Sequence, residues 1–206
     1  MKLFRLALEE EATGVANDEI EYEFYGRLTD LSILDTSVGK EHQEQHQIYV
    51  PKTDKNAGDA TIRVRKTIKD NNEPEYVLTT KTKGASGSKI DRLEVSIPTT
   101  KDGYDQLRII TDGSMRKDRY HFPIEGTDLV WELDMFLKPG AEVGSRDYHE
   151  WVKVDLELNT VGTELPVIPF VLEDIITAQK GKRTPEEEAK VEELYNSMFK
   201  TPNQLK

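Results

Sequence analysis

Acids and bases recur at every second position along much of this chain. Glu19, Glu21 and Glu23 alternate with Ile20, Tyr22 and Phe24, and Thr61, Arg63 and Arg65 with Ile62 and Val64. Thr79, Lys81 and Lys83 follow the same rule, as do Arg92, Glu94 and Ser96, and then Lys117, Arg119 and His121. Glu132 and Asp134 alternate with Trp131, Leu133 and Met135, and Lys153, Asp155 and Glu157 with Val152, Val154, Leu156 and Leu158. Successive side chains of a β-strand point to opposite faces, so each run reads as a strand with one charged and one apolar face. Like charges two apart on one face repel unless opposite charge lies across from them. Carboxylates are hard oxygen ligands for divalent cations. Arginine offers a planar fork to phosphate oxygens, and lysine a point charge. A face that segregates acids and bases by strand suits a polyanion held with divalent cations. On that chemistry the phosphate ligands are Arg63, Arg65, Lys81, Arg92 and Arg119. The metal ligands are Glu19, Glu21, Asp155 and Glu157, followed by Glu132 and Asp134. The bland alternative is a solvated sheet face laced with ion pairs worth about 0.2–1 kcal/mol each.

The elements that must position these residues can be read from the same pattern. Strands are expected at 19–28, 47–50, 61–68, 75–83, 91–97, 115–123, 129–137 and 149–159. Asp54 to Asp59 and Asn71 to Pro74 carry turn residues. Helical spacing is read in part of 31–44, at 99–110 from Tyr104, Leu107 and Ile110, and at 169–180. The last helix, 185–199, is the best signalled: Thr184 is its N-cap, Pro185 its first residue, and Glu187 completes a capping box. Trp131 and Trp151 are assigned to apolar faces, and the loop 138–148 is the longest candidate lid. His42 and His46, four apart, find no third metal ligand and are assigned to the surface. The expected organisation is a leader at 1–18, a strand-rich domain at 19–160 and C-terminal helices at 161–206. The fold class is α+β, mainly antiparallel β. Patterning allows either an open sheet with one wet face or a closed barrel with a charged lumen.

Composition narrows the function. The chain has 206 residues, 36% hydrophobic and 33% charged, enough for one domain with a substantial core. A net charge of −11 argues against general binding to nucleic acid or anionic membranes, which need a basic surface. With no cysteine, disulfides and zinc–thiolate sites are excluded. The start is a poor signal peptide, because Arg5 and Glu9 to Glu11 break its apolar run. The cytoplasm is the expected compartment.

Taken in order, the motifs resemble those of the CYTH superfamily, the triphosphate tunnel metalloenzymes. Glu19-Ile20-Glu21 resembles the family's first-strand Glu-x-Glu, and Arg63-Val64-Arg65 its Arg-x-Arg strand. Leu78 to Lys81 resembles its lysine strand, Arg92-Leu93-Glu94 its Arg-x-Glu, and Lys117 to Tyr120 its Lys-x-Arg-Tyr. Trp131 to Phe136 resembles its Trp-Glu-x-Asp-x-Phe strand, and Asp155-Leu156-Glu157 its closing acidic pair. The resemblance implies an eight-stranded antiparallel tunnel with helices packed outside, binding triphosphate with Mg²⁺ or Mn²⁺. It implies a triphosphate hydrolase, with a class IV-type adenylyl cyclase and a non-catalytic nucleotide or polyphosphate binder as alternatives. Lys81, Glu21 and Glu157 are then the catalytic residues. The expected partner is a small triphosphate, with neither nucleic acid nor membrane, in a monomer or homodimer. One position departs: the family pattern continues Glu-x-Glu-x-Lys, and here the fifth residue is Glu23. Lys83, Lys117 and Lys153 on the charged faces, or Tyr49, are the replacements for the missing cation, and Lys117 and Lys153 join the expected phosphate ligands.

Overall fold

The computed structural model describes residues 20–50, 60–70, 72–83, 92–111, 113–142, 144–158, 166–177 and 183–198. Among the described residues nine antiparallel strands form one sheet. They are β1 (Ile20–Leu28), β2 (Gly39–Val50), β3 (Ala60–Lys69), β4 (Glu75–Lys83), β5 (Arg92–Pro98), β6 (Gly113–Pro123), β7 (Val130–Leu137), β8 (Tyr148–Leu158) and β9 (Leu172–Thr177). The spatial order is β5-β4-β3-β2-β6-β7-β8-β1-β9. A 3₁₀ helix (Leu31–Thr36) follows β1; helix α1 (Lys101–Ile109) follows β5, and α2 (Pro185–Met198) follows β9. The expected mainly antiparallel sheet is present. It differs from the expected eight-stranded closed barrel in having a ninth strand and two edges, β5 and β9, with no ladder between them among the described residues.

Two elements differ from their sequence reading. The segment 169–180 reads as helical in the sequence. It contains β9 instead, which pairs with β1 through Phe24↔Thr177, Tyr25↔Ile176, Arg27↔Glu173 and Leu28↔Leu172. Gly26 admits this strand: a Cβ there would lie 3.2 Å from Leu172 Cβ and 3.3 Å from the Glu173 carbonyl oxygen. The second is β2, expected only at 47–50 but starting at Gly39, since its polar run hides the alternation. The other elements follow their local signals. Thr100 caps α1 by accepting from the Gly103 amide at 3.1 Å. Thr184 and Glu187 form the capping box of α2, with reciprocal bonds of 2.8 and 3.2 Å.

The apolar strand faces make the main core, with Trp131, Leu133, Val152, Val154 and Leu156 wholly shielded. Leu34 of the 3₁₀ helix and Phe170 cover this layer. Tyr104 of α1 packs on the same side of the sheet, against the rings of His46 and Tyr76. The segment 138–148, expected as a lid, is tied down: Lys138 bonds Asp147 by backbone at 3.0 Å and by side chain at 2.7 Å.

Candidate functional site

The opposite face carries the charges. Register places Glu21 opposite Glu157 and Glu23 opposite Asp155, and Glu132 opposite Asp155 and Asp134 opposite Lys153. It also places Arg119 opposite Asp134 and His121 opposite Glu132, and Glu41 opposite Arg119 and Gln43 opposite Lys117. Arg63 and Arg65 oppose Gln47 and Gln45 of β2. This face is not a wet sheet surface. Asp134 is 0% exposed, Thr79 1%, Asp155 3% and Lys117 8%. Helix α1 packs on the other face, and α2 covers one end of this one through Val191 and Met198.

Burying these charges is tolerated because they are paired. Lys117 meets Asp134. Arg119 donates to both Asp134 oxygens, at 2.7 and 2.9 Å, to Asp155 at 3.2 Å, and to Glu132. Lys153 reaches Asp155 at 2.8 Å and also touches Glu23. The bases therefore thread between carboxylates that oppose one another in register. Burial pushes the Asp134 carboxyl up, but Lys117 and Arg119 outweigh it and hold it well below the carboxylate range. Burial, with the Asp134 charge, raises Asp155. Burial, together with the Arg119 charge, lowers Lys117 to about 8 against the pull of Asp134. The hydrogen bond to Glu132 raises His121.

The predicted residues thus fall into separate groups. Lys117, Arg119 and Lys153, expected on phosphate, are brought together with Glu132, Asp134 and Asp155, expected on metal. Arg63 and Arg65 stand on the β3 wall, half-buried, and the Nε of Arg65 has no hydrogen-bond partner among the described residues. Lys81, opposite Thr61 and Glu94, is exposed on β4. Glu21, Glu157 and Arg92 are placed by register alone, and Glu19 lies outside the described residues. Glu23 does not face the missing cation as a vacancy: Lys153 of the neighbouring strand has its ammonium against it.

Among the described residues no three of His, Asp and Glu converge as a ready metal cage. The donor chemistry still fits a hard cation at one place. Register puts the Cα positions of Glu21 and Glu157 opposite each other, and carboxylates are the donor type a hard cation takes. Mg²⁺ commonly takes only one or two carboxylates and completes its shell with water and substrate phosphate.

Sequence reasoning missed a second buried cluster, on the apolar side. Asp118 is 0% exposed and accepts from His42 Nδ1 at 2.9 Å, Lys40 Nζ at 2.7 Å and the Tyr148 hydroxyl at 2.5 Å. The Tyr120 hydroxyl in turn donates to Tyr148 at 2.9 Å. His42 and His46, assigned to the surface, are both buried on β2. Trp151, assigned to an apolar face, shares the charged face with Lys153 and lies under α2, with Lys190 Nζ 4.3 Å from its ring.

Comparison with known proteins decides the family. The sequence profile of the CYTH domain matches residues 17–167. The chain belongs to the CYTH family. That places it in the triphosphate tunnel metalloenzyme superfamily, whose members depend in general on divalent metals and are often triphosphatases or cyclases. Among solved structures, the chain is similar to the PH1819 protein from Pyrococcus horikoshii OT3. Identity is 18% and the TM-score 0.44, over 88% of this chain and 93% of that one. It is similar at 12% identity and a TM-score of 0.37 to a chain of the Schizosaccharomyces pombe Mediator head module, over 86% of this chain and 93% of that one. No curated protein sequence matches the chain. Among the described residues, no helix is long and apolar enough to cross a membrane.

Proposed function

We propose that this CYTH protein is a divalent-metal-dependent hydrolase of a small triphosphate, working on the sheltered charged face. The observation that carries the reading is that one shielded face of the sheet gathers carboxylates from β1, β7 and β8 with the arginines of β3. Arg63 and Arg65 hold phosphate oxygens there, joined by Lys81 and Arg92 on the adjoining strands. Arg119, Lys117 and Lys153 hold the acidic wall in place and complete the positive surface as phosphate arrives. Glu21 and Glu157, with Glu132, Asp134 and Asp155 nearby, would hold Mg²⁺ or Mn²⁺. When bound, the ion neutralises phosphate charge and lowers the pKa of a coordinated water. Hydrolysis is then mostly positioning and charge stabilisation, which fixed arginines and a shielded site provide.

The same proposal makes the substrate its small-molecule partner. It assigns no role to nucleic acid or membrane, a monomeric or homodimeric state, and the cytoplasm as compartment. The test is Arg65→Ala, alone and with Arg63→Ala, read by calorimetric titration with inorganic triphosphate. Affinity should fall at least tenfold with far-ultraviolet circular dichroism unchanged. An unchanged affinity places the anion elsewhere.

A further inference from the structure

Helix α2 and the first residues of β8 leave a groove between them. Its volume is about 280 Å³, below the roughly 300–1,000 Å³ of pockets that take drug-sized ligands, so it suits a smaller molecule. None of the ion-paired residues of the charged face lines it. Trp151 and Met198, both buried, and half-buried Leu194 give it an apolar lining. Glu150 and Glu193 bring carboxylates to it, and neither has an ion-pair partner among the described residues. His149 also lines the groove, and its Nε2 is buried with no hydrogen-bond partner among the described residues. Burial, with the Lys138 charge, lowers the His149 imidazole, so it is neutral at pH 7 and adds no positive charge.

One ammonium already sits in this groove. Lys190 Nζ lies 4.3 Å from the centroid of the Trp151 ring, within the about 6 Å over which an indole face attracts a cation. Lys190 is exposed, so its flexible stem can carry that ammonium out to water. The tethered ammonium marks the chemistry the groove accepts: a cation over the indole, methylenes against Leu194 and Met198, and further positive charge beside the carboxylates. We propose that the groove binds a linear aliphatic polyamine, one of whose ammonium groups takes the place of Lys190 over Trp151. The remaining ammonium groups pair with Glu150 and Glu193, and an ammonium N–H donates to His149 Nε2. A linear diamine or triamine fits better than a monoamine, because two carboxylates line the groove and a monoamine neutralises only one. The net charge of −11 draws polycations toward the chain from a distance. None of these residues holds phosphate or metal in the reading above, so the two sites stand or fall separately.

The experiment is calorimetric titration of the full chain with spermidine, in near-physiological salt and without phosphate compounds. Saturable binding to one site is expected, with butylamine bound at least tenfold more weakly. Glu150→Gln with Glu193→Gln removes both carboxylates and should weaken spermidine about tenfold. Lys190→Ala removes the internal competitor and should strengthen spermidine about threefold. Glu186→Gln with Glu192→Gln removes the same charge from exposed positions of α2 outside the groove, and should change affinity less than twofold. Tryptophan fluorescence reports the same titration, because Trp151 lines the groove while Trp131 is wholly shielded. No saturable binding overturns the proposal. So does a loss from the Glu186 and Glu192 pair as large as from Glu150 and Glu193, which would mean diffuse attraction to an acidic surface. An unchanged or weakened affinity in Lys190→Ala also overturns it, because the Trp151 face would then not be where the ligand ammonium sits.

Discussion

Replacing Asp118 by alanine tests the buried cluster on the apolar side most sharply. The carboxylate is fully shielded and accepts three hydrogen bonds. Of its donors, Lys40 has a side chain 35% exposed and can turn to water. Tyr148 keeps its hydrogen bond with Tyr120, but His42, at 8%, has no such recourse. A buried polar group left without its partner costs about 1–3 kcal/mol. Urea unfolding at neutral pH should show a loss in that range with an unchanged m-value. Arg146→Ala, which removes an exposed ion pair to Asp35, should lose under about 1 kcal/mol in the same assay. The pH dependence carries a sign. Burial raises the Asp118 carboxyl, but hydrogen bonds from His42, Lys40 and Tyr148 outweigh it and hold it below its ordinary value. A depressed folded pKa contributes stability that is fully present above the unfolded value, near about 4 for aspartate. That contribution disappears as pH falls through the lower folded value. The gap between wild type and Asp118→Ala should therefore be flat from neutrality to about pH 5 and narrow below about pH 4. A loss under about 1 kcal/mol, or a gap that widens in acid, refutes the reasoning.

Three further outcomes follow from the structure. Glu23→Lys sets a second ammonium against Lys153 and should destabilise, and adding Lys153→Glu should recover part of the loss, with a coupling of about 0.5–3 kcal/mol in denaturant titrations. Glu157→Gln should raise the Mg²⁺ concentration needed for half-maximal activity several-fold; unchanged metal dependence would move the ion away from the Glu21–Glu157 pair. Thr184→Ala removes the cap of α2 and should cost about 1 kcal/mol, read by thermal unfolding, with Thr184→Ser close to wild type.

What was legible in the sequence was whatever local pattern alone encodes. Strict alternation marked β1, β3, β7 and β8, and the Thr184-to-Glu187 signature marked the start of α2 to the residue. Alternation also fixed which residues share the charged face, because a one-residue slip would have exposed Leu133 and Val154. The rest depends on partners distant in sequence. Leu172–Thr177 has helical spacing, yet becomes a strand because Gly26 leaves an edge of β1 free to pair. Gly39 to Gln47 is a polar run, read in part as helical, yet its Glu41, Gln43 and Gln45 lie on the charged face and its His42 and His46 pack on the other face against β6 and α1. Types and spacing named Arg119, Asp134 and Asp155, but not that one arginine would bridge both acids. That depends on the pairing of β6, β7 and β8. Likewise, Glu23 read alone is a lost cation, and its partner Lys153 is visible only across the β1–β8 ladder.

The central claim is that this face hydrolyses triphosphate with a divalent metal. The direct measurement is chromatographic resolution of products after the protein is incubated with inorganic triphosphate, ATP and thiamine triphosphate in Mg²⁺ or Mn²⁺. The account predicts orthophosphate release from at least one of them, abolished by EDTA and by Arg63→Ala with Arg65→Ala. Pyrophosphate with a cyclic nucleotide, or binding with no product from any of the three, would contradict it.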